Sequence, residues 1–399
     1  MADTLLVINA GSSSIKFSVF EIAADGGLKA AVKGQIEGIG TQPRLRARDQ
    51  NGASLVDTRF EAAEIADVPS AIGHVGAWLR ARLGGGLPVA VGHRVAHGGP
   101  NYAAPAVVDD ALLADLDRFV LLAPLHQPNN LRPIRAIQQS FPGMLQVVCF
   151  DTAFHRGHPA VADRYALPQS YYEEGVRRYG FHGLSYEYIA RTLPSVAPEI
   201  ARGKVVVAHL GSGASMCAIE DGRSVDSTMG FSALDGLPMG TRCGQIDPGV
   251  LLYLMVEKGY DAGQIEHLLY HDCGMKGLSG ISNDVRDLLA SCDPRARLAL
   301  DYFVYRIGRE LGSLAGAMGG IDGLVLTAGI CENSAEMRAR VCERANWLGI
   351  RLDETANQAG GPCLSTADSP VSAWVIPTNE ERIIAEHTFA VWHRQQGNR

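Results

Sequence analysis

No apolar run in the 399 residues reaches the roughly 18–20 residues that a membrane-spanning helix requires, so no membrane partner is expected. Nor is there a dense Lys or Arg block. The 36 basic residues face 43 acidic ones, a formal net charge of −7, which does not advertise a nucleic-acid surface. The eight cysteines form no CxxC pair and no disulfide-framework spacing, and read as reduced thiols. Met1–Ile8 lacks the basic start and long apolar stretch of a secretory signal, so a cytoplasmic protein is the expectation. No GxxxxGK followed by Ser or Thr occurs, which disfavours a P-loop nucleotide hydrolase. The turn that approaches the dinucleotide fingerprint has Met216 where its third glycine should stand.

What is abundant is glycine, 45 residues, much of it beside Ser, Asn or His. Such clusters let backbone approach a ligand closely. Leu5–Ile8 is an apolar run, Asn9–Ser14 a turn, and Ile15–Phe20 alternates apolar and polar, which reads as strand, turn, strand. The same order returns at Val205–Ala208, the Gly-rich His209–Ala214 and Met216–Ile219. An offset of 200 residues superposes Val7, Gly11 and Ser12 on Val207, Gly211 and Ser212. An equivalent hairpin at the start of each half points to duplicated domains with a cleft between them. Helical patterns at Ala71–Leu83, Ala111–Leu122, Leu131–Ser140, Val250–Lys258, Ala296–Met318, Ser334–Leu348 and Glu380–Arg394 alternate with apolar strands at Val89–Val91, Leu145–Phe150 and Leu324–Thr327. That alternation is the α/β class.

The first turn, with Ser12, Ser13, Ser14 and nearby Lys16, offers amides, hydroxyls and an ammonium, the parts of a phosphate cradle; an ordinary Ser-rich hairpin turn reads the same way. A third Gly-containing turn, Thr327–Asn333, follows a strand and opens a helix. It could meet a nucleotide, or be a plain connection with Asn333 as cap. Arg94 and Arg242 lie among glycines, which leaves each guanidinium room for bidentate contacts to carboxylate or phosphate. His93 and His97 have metal-like spacing, but the flanking glycines disfavour a helix; His267 and His271 read as surface residues. Asp151 stands at a strand end, where open α/β sheets bind ligands, and His182 stands between glycines. Either could be structural, one as a helix cap and the other as a satisfied loop histidine, but their accumulation beside Gly-rich turns favours a site.

Taken together, VINAGSSSIKF at Val7–Phe17, GHRVAHGG at Gly92–Gly99, APLHQP at Ala123–Pro128, FDTAFH at Phe150–His155, RRYGFHGLS at Arg177–Ser185, HLGSGAS at His209–Ser215, MGTRCGQIDPG at Met239–Gly249, SGISNDVR at Ser279–Arg286, TAGICENS at Thr327–Ser334 and PTNEE at Pro377–Glu381 resemble the acetate kinase family. This family belongs to the acetate and sugar kinase/Hsp70/actin superfamily. The resemblance spans nearly the whole chain. It implies two RNase H-like domains of the actin-like ATPase type, 1–152 joined by the closing helix 384–399, and 153–383, usually in a homodimer. It implies Mg²⁺, with Mn²⁺ as an alternative, at Asn9 and Glu380. Lys16, Ser12 and Ser14 would meet the nucleotide phosphates, and Arg94 the substrate carboxylate. Arg242 and His182 would stabilise the transferring phosphoryl group, with His126 and Asp151 completing the set. Nucleotide contacts would come from His209, Leu210, Gly211, Ser212 and Gly213, from Asp284, Val285 and Arg286, and from Ala328, Gly329, Ile330, Cys331 and Glu332. The methyl group of acetate would lie against Ala96, Leu125, Phe181 and Ala233.

The reaction so implied is ATP + acetate ⇌ ADP + acetyl phosphate by direct in-line transfer. A carboxylate nucleophile is already ionised at neutral pH, so Asp151 is expected to orient Arg94 or a metal-bound water rather than to act as a base. The chain departs from the commonest family forms at Ser212, Gln127, Gln245 and Cys331. Cys331, in place of glycine, is expected near the nucleotide. Ala96 and Ala233 stand where Val and Pro are usual, which widens the expected pocket toward propionate. The competing readings are a propionate kinase, a sugar kinase, and an actin- or Hsp70-like ATP-gated binding protein, in which Arg94 and Arg242 would have no purpose.

Overall fold

In the computed structural model, which describes residues 3–11, 13–124 and 126–397, the chain divides into two compact units, Met1–Ala153 with Asn379–Arg399 and Phe154–Thr378. The first holds eight strands: β1 (Thr4–Ala10), β2 (Ser14–Ile22), β3 (Leu28–Glu37), β4 (Arg44–Asp49), β5 (Ser54–Arg59), β6 (Ala90–Val95), β7 (Ala106–Val107) and β8 (Gln146–Phe150). Their order across the sheet is β5-β4-β3-β2-β1-β6-β8-β7, with β1, β6 and β8 parallel and the other neighbours antiparallel. Leu6, Ile8 and Ala10 of β1 enter a core with Ile72, Val75 and Leu79 of the helix Val68–Arg82 and Ile137 of the helix Gln127–Ser140. Asp67 starts the first of these helices through a reciprocal capping box with Ser70, and Pro128 sits in the first turn of the second.

The closing helix, Glu380–Gly397, packs on β1, β6 and β8. Gly92 makes that possible: a Cβ there would fall 2.2 Å from Thr388 Oγ1 and 2.7 Å from Ile384 Cγ2. The sequence reading ends this strand at Val91. The strand instead runs on to Val95, because the glycine serves helix docking, and His93 and Arg94 are therefore strand residues.

The second unit holds β9 (Lys204–Leu210), β10 (Ala214–Glu220), β11 (Arg223–Ser227), β12 (Gly323–Thr327) and β13 (Ser372–Val375), in the order β11-β10-β9-β12-β13. Val206, Ala208 and Leu210 share a core with Phe303, Ile307 and Leu311 of the helix Pro294–Met318. Val205 and Val207 point into another with Ile189 and Leu193 of the helix Gly183–Val196. Burial on both faces is why β9 reads as a continuous apolar run rather than an alternating one. The five strands repeat a pattern of the first unit: β3-β2-β1-β6-β8 and β11-β10-β9-β12-β13 each run through two antiparallel pairings and then two parallel ones. This is the duplication that the two hairpin turns announce, in the actin-like form that the resemblance implies. One capping expectation fails. Asn333 ends the short helix Ala328–Asn333, with its Nδ2 donating to the Gly329 carbonyl, while Ser334 Oγ accepts from Met337 N and caps the next helix, Ala335–Arg344.

Candidate active site

In the first unit, parallel pairing brings the C-terminal ends of β1, β6 and β8 side by side and places Asn9, Arg94 and Asp151 together. Arg94 donates from Nε to Asp151 Oδ1 at 3.0 Å and from Nη2 to Oδ2 at 2.5 Å, a two-pronged contact, and from Nη1 to Asn9 Oδ1 at 3.3 Å. Glu380, the first residue of the closing helix, brings Oε2 within 3.7 Å of the same guanidinium. Burial would lower the pKa of Arg94, but the carboxylates of Asp151 and Glu380 outweigh it and raise it, so the charge is secure. Two carboxylates against one cation leave this group with a net negative charge, and its remaining ligands are oxygens. That donor set suits a hard divalent cation such as Mg²⁺.

Around it lies a scaffold. The Ala96 amide donates to Asn130 Oδ1 at 2.9 Å, and Asn130 Nδ2 donates to the Ala10 carbonyl at 2.9 Å. Gln127 is fully buried. It accepts from the His97 amide at 3.2 Å and donates to the His97 carbonyl at 3.0 Å, so both residues brace the loop. His93 bonds Gln146 through Nε2 at 2.8 Å, and its burial lowers its pKa to about 4. His126 immediately precedes the helix Gln127–Ser140, without a capping bond from its side chain. Lys16 is exposed, paired in register with Asn9; Ser14 closes the first turn, its carbonyl accepting from the Gly11 amide at 2.8 Å. Ser12 and Leu125 lie outside the described residues.

In the second unit, His182 adopts a left-handed backbone conformation, φ 56° and ψ 22°, at the start of the helix Gly183–Val196. For a side chain with a Cβ that costs about 1–2 kcal/mol, so the surroundings must hold it. They do. Its ring stacks on His209 at 4.2 Å and 15°, and Nδ1 lies 2.8 Å from Ser215 Oγ. His209 Nδ1 lies 2.8 Å from Ser185 Oγ, which donates to Thr378 Oγ1. Upstream, His155 is fully buried, bonds the Phe181 carbonyl at 2.9 Å through Nε2, and is held neutral by that burial, at a pKa of about 3. Arg242 donates from Nη1 to the Ala233 carbonyl at 2.8 Å. A Cβ on Gly213 would lie 2.8 Å from Arg242 Nη2 and 3.2 Å from His182 Nε2, so bare backbone here lets both donors approach one point.

Beside that point opens a cavity of about 860 Å³. Gly211, Ser212, Asp284, Val285, Arg286, Gly329 and Ile330, among the residues the resemblance implies as nucleotide contacts, line it. The hydrogen bond and charge of Arg286 hold the Asp284 carboxyl below its usual range. Three expectations need correction. Cys331 is fully buried, its thiol turned into the core beside Met337 and Cys342 and its pKa pushed up by burial, because the helix Ala328–Asn333 directs that position inward. Glu332 does not line the cavity either: its Oε1 accepts from the Ala328 and Thr378 amides at 2.8 and 3.1 Å and fixes the turn. Leu210 is a core residue. His209, Gly213 and Ala328 lie next to lining residues rather than among them. Of the expected methyl-pocket residues, Ala96 belongs to the first unit, while Phe181 and Ala233 pack with one core of the second.

Sequence reasoning passes over Ser185, Tyr186, Ser215, Thr378, Asn283 and Leu289. Ser185, Ser215, Thr378 and Asn283 nonetheless stand inside or at the edge of the quoted motifs, which is the available signal. The Acetokinase family matches residues 4–386. The acetate kinase of Nitrobacter hamburgensis is 58% identical over 98% of this chain and 96% of its own length, and that of Rhizobium meliloti is 54% identical over 98% of both. Among solved structures, Porphyromonas gingivalis acetate kinase is similar with a TM-score of 0.85 and 35% identity, covering 98% of this chain and 100% of that one. A propionate kinase from Francisella tularensis has a TM-score of 0.89 and 32% identity, covering 97% and 99%.

Proposed function

Because the chain belongs to the acetokinase family, which phosphorylates acetate with ATP, we propose that its two half-sites divide that reaction between acceptor and donor. The observation that carries this reading is the two-pronged Arg94–Asp151 contact beside Asn9 and Glu380 at the ends of parallel strands. Asp151 fixes the Nε edge of Arg94, and Arg94 binds the carboxylate of acetate. The acetate oxygen, already ionised, attacks the γ-phosphorus of ATP in line, the bond to the β-phosphate oxygen breaks, and ADP leaves. The cavity of the second unit holds the nucleotide. Arg242 and His182 meet the charge that spreads over the transferring phosphoryl oxygens, and Lys16 and the Gly11–Ser14 turn meet the phosphate chain. Asn9 and Glu380 would hold Mg²⁺, with Mn²⁺ as a substitute of similar ligand preference, and the bound ion supplies positive charge to the phosphate oxygens. The test is trapping of acyl phosphate as hydroxamate from ATP, Mg²⁺ and acetate with hydroxylamine. Absence of product from folded protein overturns the reading.

Propionate is a second substrate in this proposal. Ala96 lies two residues beyond Arg94, is buried, and has its amide fixed by Asn130, so the wall it forms is small and cannot shift far to close a gap. Each buried CH₂ contributes about 0.8 kcal/mol, roughly fourfold in binding. Comparing kcat/KM for acetate and propionate in wild type and Ala96→Val checks it; equal discrimination in the two proteins removes the idea.

The reading also includes a homodimer. The helix Pro248–Val256 has no buried residue, with Leu252 62% and Val256 76% exposed, an apolar face suited to a second copy. Sedimentation of wild type and Leu252→Lys decides this: a monomeric wild type refutes it. The cysteines carry free thiols and the reaction consumes ATP, both in keeping with the cytoplasm.

A further inference from the structure

Ser215 Oγ sits between two partners. It lies 2.8 Å from His182 Nδ1 and 2.5 Å from Tyr186 Oη, and both Ser215 and Tyr186 are fully buried. Ser215 comes from β10 and Tyr186 from the first turn of the helix that His182 opens, so Ser215 holds the ring nitrogen and Tyr186, on a different element, holds Ser215. A serine hydroxyl has one proton to give. Given to His182 Nδ1, it leaves Ser215 to accept from Tyr186, and the imidazole carries its own proton on Nε2. In the reverse order His182 would either show a bare Nε2 lone pair to an anionic phosphoryl group or carry a second positive charge close to Arg242. A phenol is also the better donor of the two hydroxyls, which favours the direction Tyr186 to Ser215 to His182.

We propose that Tyr186 and Ser215 form a hydroxyl relay that keeps the proton of His182 on Nε2, the nitrogen directed past Gly213 beside Arg242. Neither residue touches substrate; both are positioning residues. The relay moves no proton during turnover. It selects the tautomer, so that a neutral imidazole enters the reaction already a donor toward the transferring phosphoryl group. The proposal rests on the reading of His182 as a phosphoryl contact.

The experiment compares Ser215→Ala, Ser215→Thr and Tyr186→Phe in the full chain, by steady-state kinetics and by ¹⁵N spectra of the histidine side chains, assigned through His182→Gln. Losing one donor to a developing charge costs about 10²–10³-fold in kcat, and a relaxed tautomer equilibrium loses part of that, so Ser215→Ala should fall about 10- to 100-fold. Its KM for ATP should stay within about threefold, because the donor acts in the transition state. Ser215→Thr keeps the hydroxyl and should restore most of kcat. Tyr186→Phe keeps the packing, and should fall less than Ser215→Ala. In wild type, His182 Nδ1 should resonate as an unprotonated nitrogen and Nε2 as a protonated one, with Nδ1 shifting toward the protonated position in Ser215→Ala. A wild-type His182 protonated on Nδ1, a Ser215→Ala variant with normal kcat, or a Thr variant no better than Ala each overturns the relay. A folded wild type that forms no acyl hydroxamate overturns the functional reading itself.

Discussion

Removing the guanidinium of Arg242 tests the charge-stabilising half of the site. Nη1 is committed to the Ala233 carbonyl at 2.8 Å, which aims Nη2 past Gly213 toward the space that His182 Nε2 also reaches. The side chain therefore supplies one directed donor and a full positive charge. One directed donor is worth about 10²–10³-fold in kcat, and an arginine that meets phosphoryl charge about 10³-fold or more, so Arg242→Ala should lose on the order of 10³ in kcat, about 4 kcal/mol. Arg242→Lys keeps the charge but cannot both hold Ala233 and reach past Gly213, and an intermediate loss of about 10- to 100-fold is expected. Initial rates of hydroxamate formation at varied ATP and acetate separate kcat from KM. Because His182 reaches the same point, a double variant with His182→Ala should lose less than the product of the single losses. A near-normal kcat in Arg242→Ala, or a loss confined to KM, would refute the assignment.

Three further outcomes are expected. Gly76 lies inside the helix Val68–Arg82, and a methyl group added there would meet nothing within 4 Å, so Gly76→Ala should stabilise the first unit by about 1 kcal/mol and raise its melting temperature; a lower Tm contradicts this. His93, with its pKa lowered from 6.5 to about 4 by burial, contributes stability that is present above pH 6.5 and lost as the pH falls toward 4, about 3 kcal/mol at full protonation; urea midpoints at pH 7.5 and 4.5 should therefore separate less in His93→Gln than in wild type, and equal separations would sink the argument. Cys331, fully buried with its thiol pKa raised, should alkylate slowly with or without ATP, and rapid labelling that ATP blocks would show that the thiol faces the nucleotide after all.

The polar ends of strands are legible in the sequence; the direction of side chains on short helices is not. Arg94 and Asp151 are recognisable as polar residues at the ends of apolar runs, Asn9 through its place in the family-like motif, and parallel pairing gathers these strand ends. Cys331 is misplaced by sequence because a string such as TAGICENS fixes a backbone path but not which positions of a six-residue helix face inward; the core of Met337 and Cys342 decides that, and it comes from a separate helix. Ser215 and Tyr186 escape assignment for a related reason. Hydroxyls are common, and only the left-handed turn at His182 brings the ring, β10 and the helix into reach of one another. Gln127 and His97 show the opposite case: motif residues in which a side chain holds a neighbouring loop's backbone, so the motif records bracing as well as chemistry.

The repeated strand pattern gives the proposed division of labour a physical basis. In both units the hairpin turn joins the central strand to its antiparallel neighbour, at Ala10–Ser14 and at Leu210–Ala214, and the two next parallel strands end beside it. In the first unit those neighbouring ends carry Arg94 and Asp151, charges that neutralise in part and leave a group of oxygens, fit for a cation and a carboxylate. In the second, β12 ends in Thr327 and a helical turn at Ala328, and His209, the penultimate residue of the central strand, stacks on His182. Among the described residues, no carboxylate side chain lines the large cavity there except Asp284, which Arg286 occupies. An anionic nucleotide meets less repulsion on that surface than on the first, where Asp151 and Glu380 stand together. On the proposed assignment, acetate is held through Arg94 in the first unit and the nucleotide by the second, and the two are separable: Asp151→Asn should weaken acetate binding through a loosened Arg94 while leaving nucleotide affinity of the second unit within about threefold. Equal losses for both ligands in titration calorimetry would mean that the two half-sites are not separable in this way.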